Sequence, residues 1–132
     1  MTTATSSSST VTSKSEQIKG ILNRYRSISS DIFGASVITI EGFMVSSVAL
    51  SEIDDGLVGG MTAALLGVGD RISKEMMSSQ MHQVFVKSAN GYVICNNITP
   101  DAVLLTLVNA EAKLGLIFLE IRRILPQLAA IL

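Results

Sequence analysis

Apolar positions recur along the chain with two different periods. Ile18, Ile21, Leu22, Tyr25 and Ile28 are spaced by three or four residues, which predicts one face of an amphipathic helix. Ser13 followed by Glu16 fits a capping box at its start. Lys19, Arg24 and Arg26 point elsewhere, and Ser29-Ser30-Asp31 ends the pattern. Gly34 then reads as a turn. Ala35–Ile40 is short and β-branched, as a strand should be. Glu41-Gly42 predicts a tight hairpin into a second strand, Phe43–Leu50.

A longer helix is predicted from about Asp54 to Met77. Glu52, Asp54 and Asp55 suit its N-terminus, where acids cap free N–H groups and face the positive end of the dipole. Leu57, Met61, Ala64, Leu65, Val68, Ile72 and Met76 form its apolar stripe. Beside that stripe, Gly56, Gly60, Ala63 and Gly67 share one flank at steps of four, three and four. A glycine costs about 1 kcal/mol relative to alanine inside a helix. Several on one flank predict that something approaches the backbone closely there.

His82–Ala89 reads as a third strand and Tyr92–Ile98 as a fourth, joined at Asn90-Gly91, where both residues tolerate positive φ. Thr99-Pro100-Asp101 is a turn. Ala102–Val108 is nearly all apolar, which predicts a central strand covered on both faces. Asn109 is a candidate cap for a last helix from about Ala112. Its buried stripe is Leu114, Ile117, Phe118, Ile121, Leu125 and Leu128, with Glu120, Arg123 and Gln127 facing away. Leu116 and Leu119 also fall on the outer side, where a monomer prefers polar residues. Pro126 should kink or limit this helix. The order αββαβββα closes most simply as an α+β sandwich, a five-stranded antiparallel sheet with helices on both faces.

Composition narrows the partners. The first thirteen residues, MTTATSSSSTVTS, lack the basic start and apolar segment of a secretory signal. They read as a disordered tail with nothing to bury, ahead of a single domain over 14–132. Ten basic against eleven acidic residues give a net charge of −1, so a nucleic-acid partner is not expected. One Cys excludes an internal disulfide and one His a His-rich metal centre. No apolar run approaches the roughly 18–20 residues of a membrane helix, so direct membrane insertion is not expected and a cytoplasmic location is. Mean hydropathy is +0.47, high for so short a chain. That predicts an exposed apolar patch or a partner that covers one.

Candidate chemistry is thin. Gly67-Val68-Gly69-Asp70 lacks the third glycine of a dinucleotide fingerprint, and no G-x4-G-K-[ST] occurs. These read as helix glycines, and the chain itself is not expected to bind GTP. Glu52, Asp54 and Asp55 have the composition of a metal or acid–base cluster, but a helix start accounts for them. His82 and Cys95 are a conceivable nucleophile–base pair. No sequence context supports it, and Cys95 reads as a small buried hydrophobe. Arg122 and Arg123 resemble a phosphoryl-transfer finger and equally a solvated pair. Arg71, Lys74 and Glu75 on the middle helix are better candidates for partner contact. Met44, Met61, Met76, Met77 and Met81 are adaptable apolar groups, suited to a seam or to plain core packing. No catalytic residue, cofactor or metal is expected.

Four segments in order carry a resemblance to the Roadblock/dynein light chain family, and to its bacterial and archaeal MglB-like branch in particular. They are GASVITIEGFMVSS, MTAALLGVGDRISKEM, VFVKSANGYVICNNI and DAVLLTLVNAEAKLGLIFLEIRRI. KLGLIFLEIRR is the most characteristic stretch, and the resemblance covers about Ser15 to Leu128. It implies a profilin-like sandwich and a homodimer, with edge strands paired between protomers and middle helices side by side. The dimer interface is then expected at Gly56, Gly60, Ala63, Gly67, Val84 and Val86. The resemblance also implies service to a small Ras-like GTPase seated on the helix pair, with Arg71, Lys74 and Glu75 near the platform. Such regulators reposition the GTPase's own catalytic groups and donate no finger. A light-chain-type adaptor without effect on hydrolysis and a small-molecule sensor domain stay open as alternatives.

Overall fold

The structure is a computed structural model that describes residues 13–50 and 52–132. Of the expected tail, residues 1–13, all but Ser13 lie outside the described residues. Eight elements follow in the expected order: α1 (Lys14–Ile28), β1 (Ile32–Thr39), β2 (Met44–Val48), α2 (Asp55–Met77), β3 (Gln83–Ser88), β4 (Gly91–Thr99), β5 (Ala102–Asn109) and α3 (Leu114–Ile131). The strands form one antiparallel sheet in the order β2-β1-β5-β4-β3. β5 is central, as its apolar run predicts. β2 and β3 are the edges.

α1 and α3 cover one face. Ser13 caps α1 by accepting from the Glu16 N–H at 3.2 Å. Ile18, Ile21, Leu22 and Tyr25 are buried beneath it, whereas Ile28 is exposed. α3 buries Ile117, Ile121, Ile124 and Leu128. Ile124 is the one the stripe expected from sequence lacks, while Leu114, Phe118 and Leu125 are half-buried against the same core. Leu116 and Leu119 are exposed as expected. Tyr25 crosses this core to share a 2.9 Å hydrogen bond with Thr106 Oγ1. Burial pushes its phenol up to about 12, with Glu120 adding in the same direction and the Thr106 bond opposing.

Several local expectations need correction. Gly34 is not a turn. It lies buried in β1 at a register shift, where an added Cβ would come 3.3 Å from both Leu107 and Leu50 side-chain carbons. The second strand begins at Met44, because Gly42 and Phe43 complete the turn: Gly42 N–H donates to the Thr39 carbonyl and Phe43 N–H to Thr39 Oγ1. In the second hairpin Ala89 and Asn90 form the turn, and Gly91 alone carries the positive φ, +152°, as the first residue of β4. A Cβ there would collide with the Val108 carbonyl. Asn109 does not cap α3. Lys113 stands at that position without a side-chain cap, and the Asn109 amide donates to the Ser30 carbonyl instead. Pro126 sits inside α3, which runs on to Ile131, so the Arg122 carbonyl lacks its helical donor.

Candidate functional site

The second face of the sheet is covered by α2 alone. Asp54 caps this helix, its carboxylate accepting from the Leu57 N–H at 2.9 Å. That is the role the acidic stretch predicts. The residues that meet the sheet are Val58, Gly59, Thr62 and Leu66. They repeat at helical spacing but belong to neither the stripe nor the glycine flank read from sequence. Gly59 makes the close approach: a Cβ there would collide with the Gly42 carbonyl. Gly69, ten residues further on, is also closely packed, since a Cβ would fall 2.7 Å from Met81 Sδ and Val84 Cγ2. Two glycines thus let the helix backbone settle on the sheet, which is the physical reason this face turns inward.

The stripe expected from sequence points outward. Leu57, Met61, Val68, Ile72 and Met76 are 48–76% exposed. Leu65 is half-buried and Ala64 exposed. The flanking Gly56, Gly60 and Gly67 are exposed too, and a Cβ at Gly60 or Gly67 meets nothing within 4 Å. Nothing among the described residues approaches Gly60 or Gly67 closely. Ala63 is half-buried beside Gly42.

Concavities lie on both sides of the helix. On one side Ala63, Gly67, Asp70, Lys74, Met81 and Asn97 help to line a hollow of about 400 Å³. On the other, an almost wholly apolar hollow of about 310 Å³ runs between α2 and the sheet, bounded by Met61, Thr62, Leu65, Val86, Cys95 and Leu105 among others. The edge strand β3 closes this side. Val84 is half-buried under α2, while Val86 is 45% exposed. Among the described residues β3 has no neighbour beyond it, so half of its backbone groups have no strand there to pair with.

The charged candidates on α2 are tied to one another. Arg71 Nε lies 3.1 Å from Glu75 Oε1, and Lys74 Nζ 2.9 Å from Asp70 Oδ2. Both are exposed pairs four residues apart, and such pairs hold little stability. They remain available to a partner. The other candidates come apart. Cys95 is fully buried opposite Val84, and burial pushes its thiol up to about 12. A thiol so disfavoured as thiolate is no nucleophile. His82 is exposed before β3, where its carbonyl accepts from Asn97. Arg123 Nη1 pairs with Glu120 Oε1 at 3.2 Å. Both arginines ride on α3, across the sheet from α2. No helix among the described residues is long and apolar enough to cross a membrane.

Comparison with known proteins agrees with this architecture. The family pattern of the Roadblock/LC7 domain matches residues 21–108, more than half of the chain. The uncharacterized protein MJ0714 of Methanocaldococcus jannaschii is 27% identical over 97 residues, covering 74% of this chain and 81% of its own. The structure of Myxococcus xanthus MglB superposes with a TM-score of 0.82 at 17% identity, covering 91% of this chain and 90% of that one. A Roadblock/LC7 domain from Streptomyces avermitilis does so with a TM-score of 0.77 at 13% identity, over 83% and 92%. At those identities the likeness concerns the fold.

Proposed function

The chain belongs to the Roadblock/LC7 domain family, and on that footing we propose that it is a homodimeric, non-catalytic regulator of a small Ras-like GTPase in the cytoplasm. The observation that carries this reading is the outward face of α2, an apolar row along a 23-residue helix that nothing among the described residues covers. Contiguous apolar surface of that kind marks an interaction site. A second copy related by a two-fold axis sets α2 against α2 along Gly56, Gly60 and Gly67, with Ala63 at the border. It also sets β3 against β3, with Val86 and the backbone around Val84 at the seam. This arrangement removes the unpaired strand edge and the apolar row together.

The remaining rim of the helix pair carries Arg71, Lys74 and Glu75, which we assign to the GTPase. Catalytic acceleration then arises because the platform binds the partner better in its transition-state geometry than in its ground state. Neither Arg122 nor Arg123 reaches a partner on α2, so no finger is donated from this chain.

Single-turnover GTP hydrolysis by a small Ras-like GTPase from the same genome, with and without the chain, tests the proposal. Faster hydrolysis that falls away in the Arg71→Ala, Lys74→Ala double variant is expected. A stable complex with unchanged hydrolysis would make the chain an adaptor. Absence of any complex would refute the assignment.

A further inference from the structure

A second surface belongs to neither the core nor the α2 platform. It is the outer side of the α1/α3 layer, where Leu116 and Leu119 are exposed although a lone protomer prefers polar residues there. Further along the same outward arc of α3, Pro126, Ala129 and Ala130 are exposed as well. The only charged residues that α3 exposes are Arg122 and Arg123. α1 beside it exposes Lys14, Lys19, Arg24 and Arg26 against a single acid, Glu16, in its first turn.

Charge is therefore sorted by face, which the net charge of −1 hides. The two helices carry six of the ten basic residues and two of the eleven acidic ones, Glu16 and Glu120, which leaves them at +4. Glu120 is half-buried and already paired with Arg123. The other five cations have no ion-pair partner among the described residues. Asp31 and Glu111 lie with Lys113 at one end of the layer, beside Leu116, and the cationic stretch begins beyond them, at Leu119. On the opposite face, α2 and the turn before it carry Glu52, Asp54, Asp55, Asp70 and Glu75 against Arg71 and Lys74.

Flexible cations around an exposed apolar row select what can cover them. A nucleic-acid backbone supplies negative charge but leaves the apolar row in water. An acidic protein surface must match fixed positions, and unpaired Lys and Arg side chains spread over two helices offer none. A fluid plane of anionic headgroups with hydrocarbon behind it satisfies both features and needs no register. We propose that the α1/α3 layer docks on the surface of an anionic lipid bilayer. Lys19, Arg24, Arg26, Arg122 and Arg123 meet headgroup phosphates, while Leu119, Pro126, Ala129 and Ala130 settle at the headgroup boundary. The acidic α2 face is repelled by the same surface, which fixes the orientation. The site does not depend on the α2 platform, and in the proposed dimer both layers face the same side, away from the GTPase.

Co-sedimentation of the full chain with vesicles of phosphatidylcholine containing about 30% phosphatidylglycerol, against vesicles of phosphatidylcholine alone, tests this. Binding to the anionic vesicles is expected to be at least about tenfold the stronger and to be lost at about 0.5 M salt. Lys19→Ala and Arg122→Ala, at exposed unpaired positions, should each weaken it about fivefold. The chain has no Trp, so a single one reports which face is docked. Ala130→Trp should shift its emission to the blue on the anionic vesicles, and Glu75→Trp on α2 should not. Equal binding to both kinds of vesicle, binding to neither, or a blue shift at Glu75→Trp instead overturns the proposal. No GTPase is present, so the outcome is separate from that of the hydrolysis assay.

Discussion

The two faces of one sheet are covered in different ways. Under α1 and α3, sixteen buried apolar residues form a continuous core, with both helices contributing four each. Under α2, the buried set among the described residues has eight members, and the helix supplies only Val58 and Leu66 of them. Yet α2 is the longest of the three helices. The first face spends its apolar residues inward. The second rests on two close glycine contacts and carries most of its apolar residues outward. Apolar burial is therefore concentrated on one face and exposed apolar surface on the other.

The largest test of that contrast is a pair of truncations. Leu128→Ala, at a fully buried position, should cost about 2–5 kcal/mol in urea unfolding. Val68→Ala, at a position 60% exposed, should change protomer stability by about 0.5 kcal/mol or less. Equal costs would erase the difference between the faces.

Alkaline titration comes next, since each face buries one acid. Tyr25 holds its proton from an ordinary 10.0 to about 12, and Cys95 from 9.0 to about 12. The unfolded chain ionises first, so stability is complete below pH 9 and falls as pH rises from there to about 12. The Tyr25 part amounts to about 3 kcal/mol. Melting temperatures of Tyr25→Phe against pH should lose the portion of the slope between pH 10 and 12 and keep the Cys95 portion. A Cys95 that ionises near 9 in the folded protein would mean that the α2 face opens readily.

Adjacent glycines on α2 give a smaller effect with opposite signs. Gly59→Ala drives a methyl into the Gly42 carbonyl and should cost about 1–3 kcal/mol. Gly60→Ala meets open space and should raise protomer stability by up to about 1 kcal/mol. Matching signs in thermal melts would show that the helix is turned differently about its axis.

That rotation is also where the sequence is least informative. The α1 and α3 stripes, the central β5 and the order of elements are legible because each has one apolar face or one period. α2 has two apolar faces at the same period, and periodicity does not say which one turns inward. Thr62, a polar residue in the inward row, disguises it further. Gly59 shares a pair with Gly60, and only the backbone of a distant hairpin at Gly42 distinguishes them. The glycine flank itself is readable from spacing, and exposed apolar surface is readable from the high hydropathy.

Light scattering of the full chain over a wide concentration range, for the native sequence and for Gly60→Leu with Gly67→Leu, addresses the platform most directly. The expected result is twice the 14.0 kDa protomer mass for the native chain and the single protomer mass for the double variant, still folded. A native chain that stays at 14.0 kDa throughout, or a double variant that associates as before, would contradict the account.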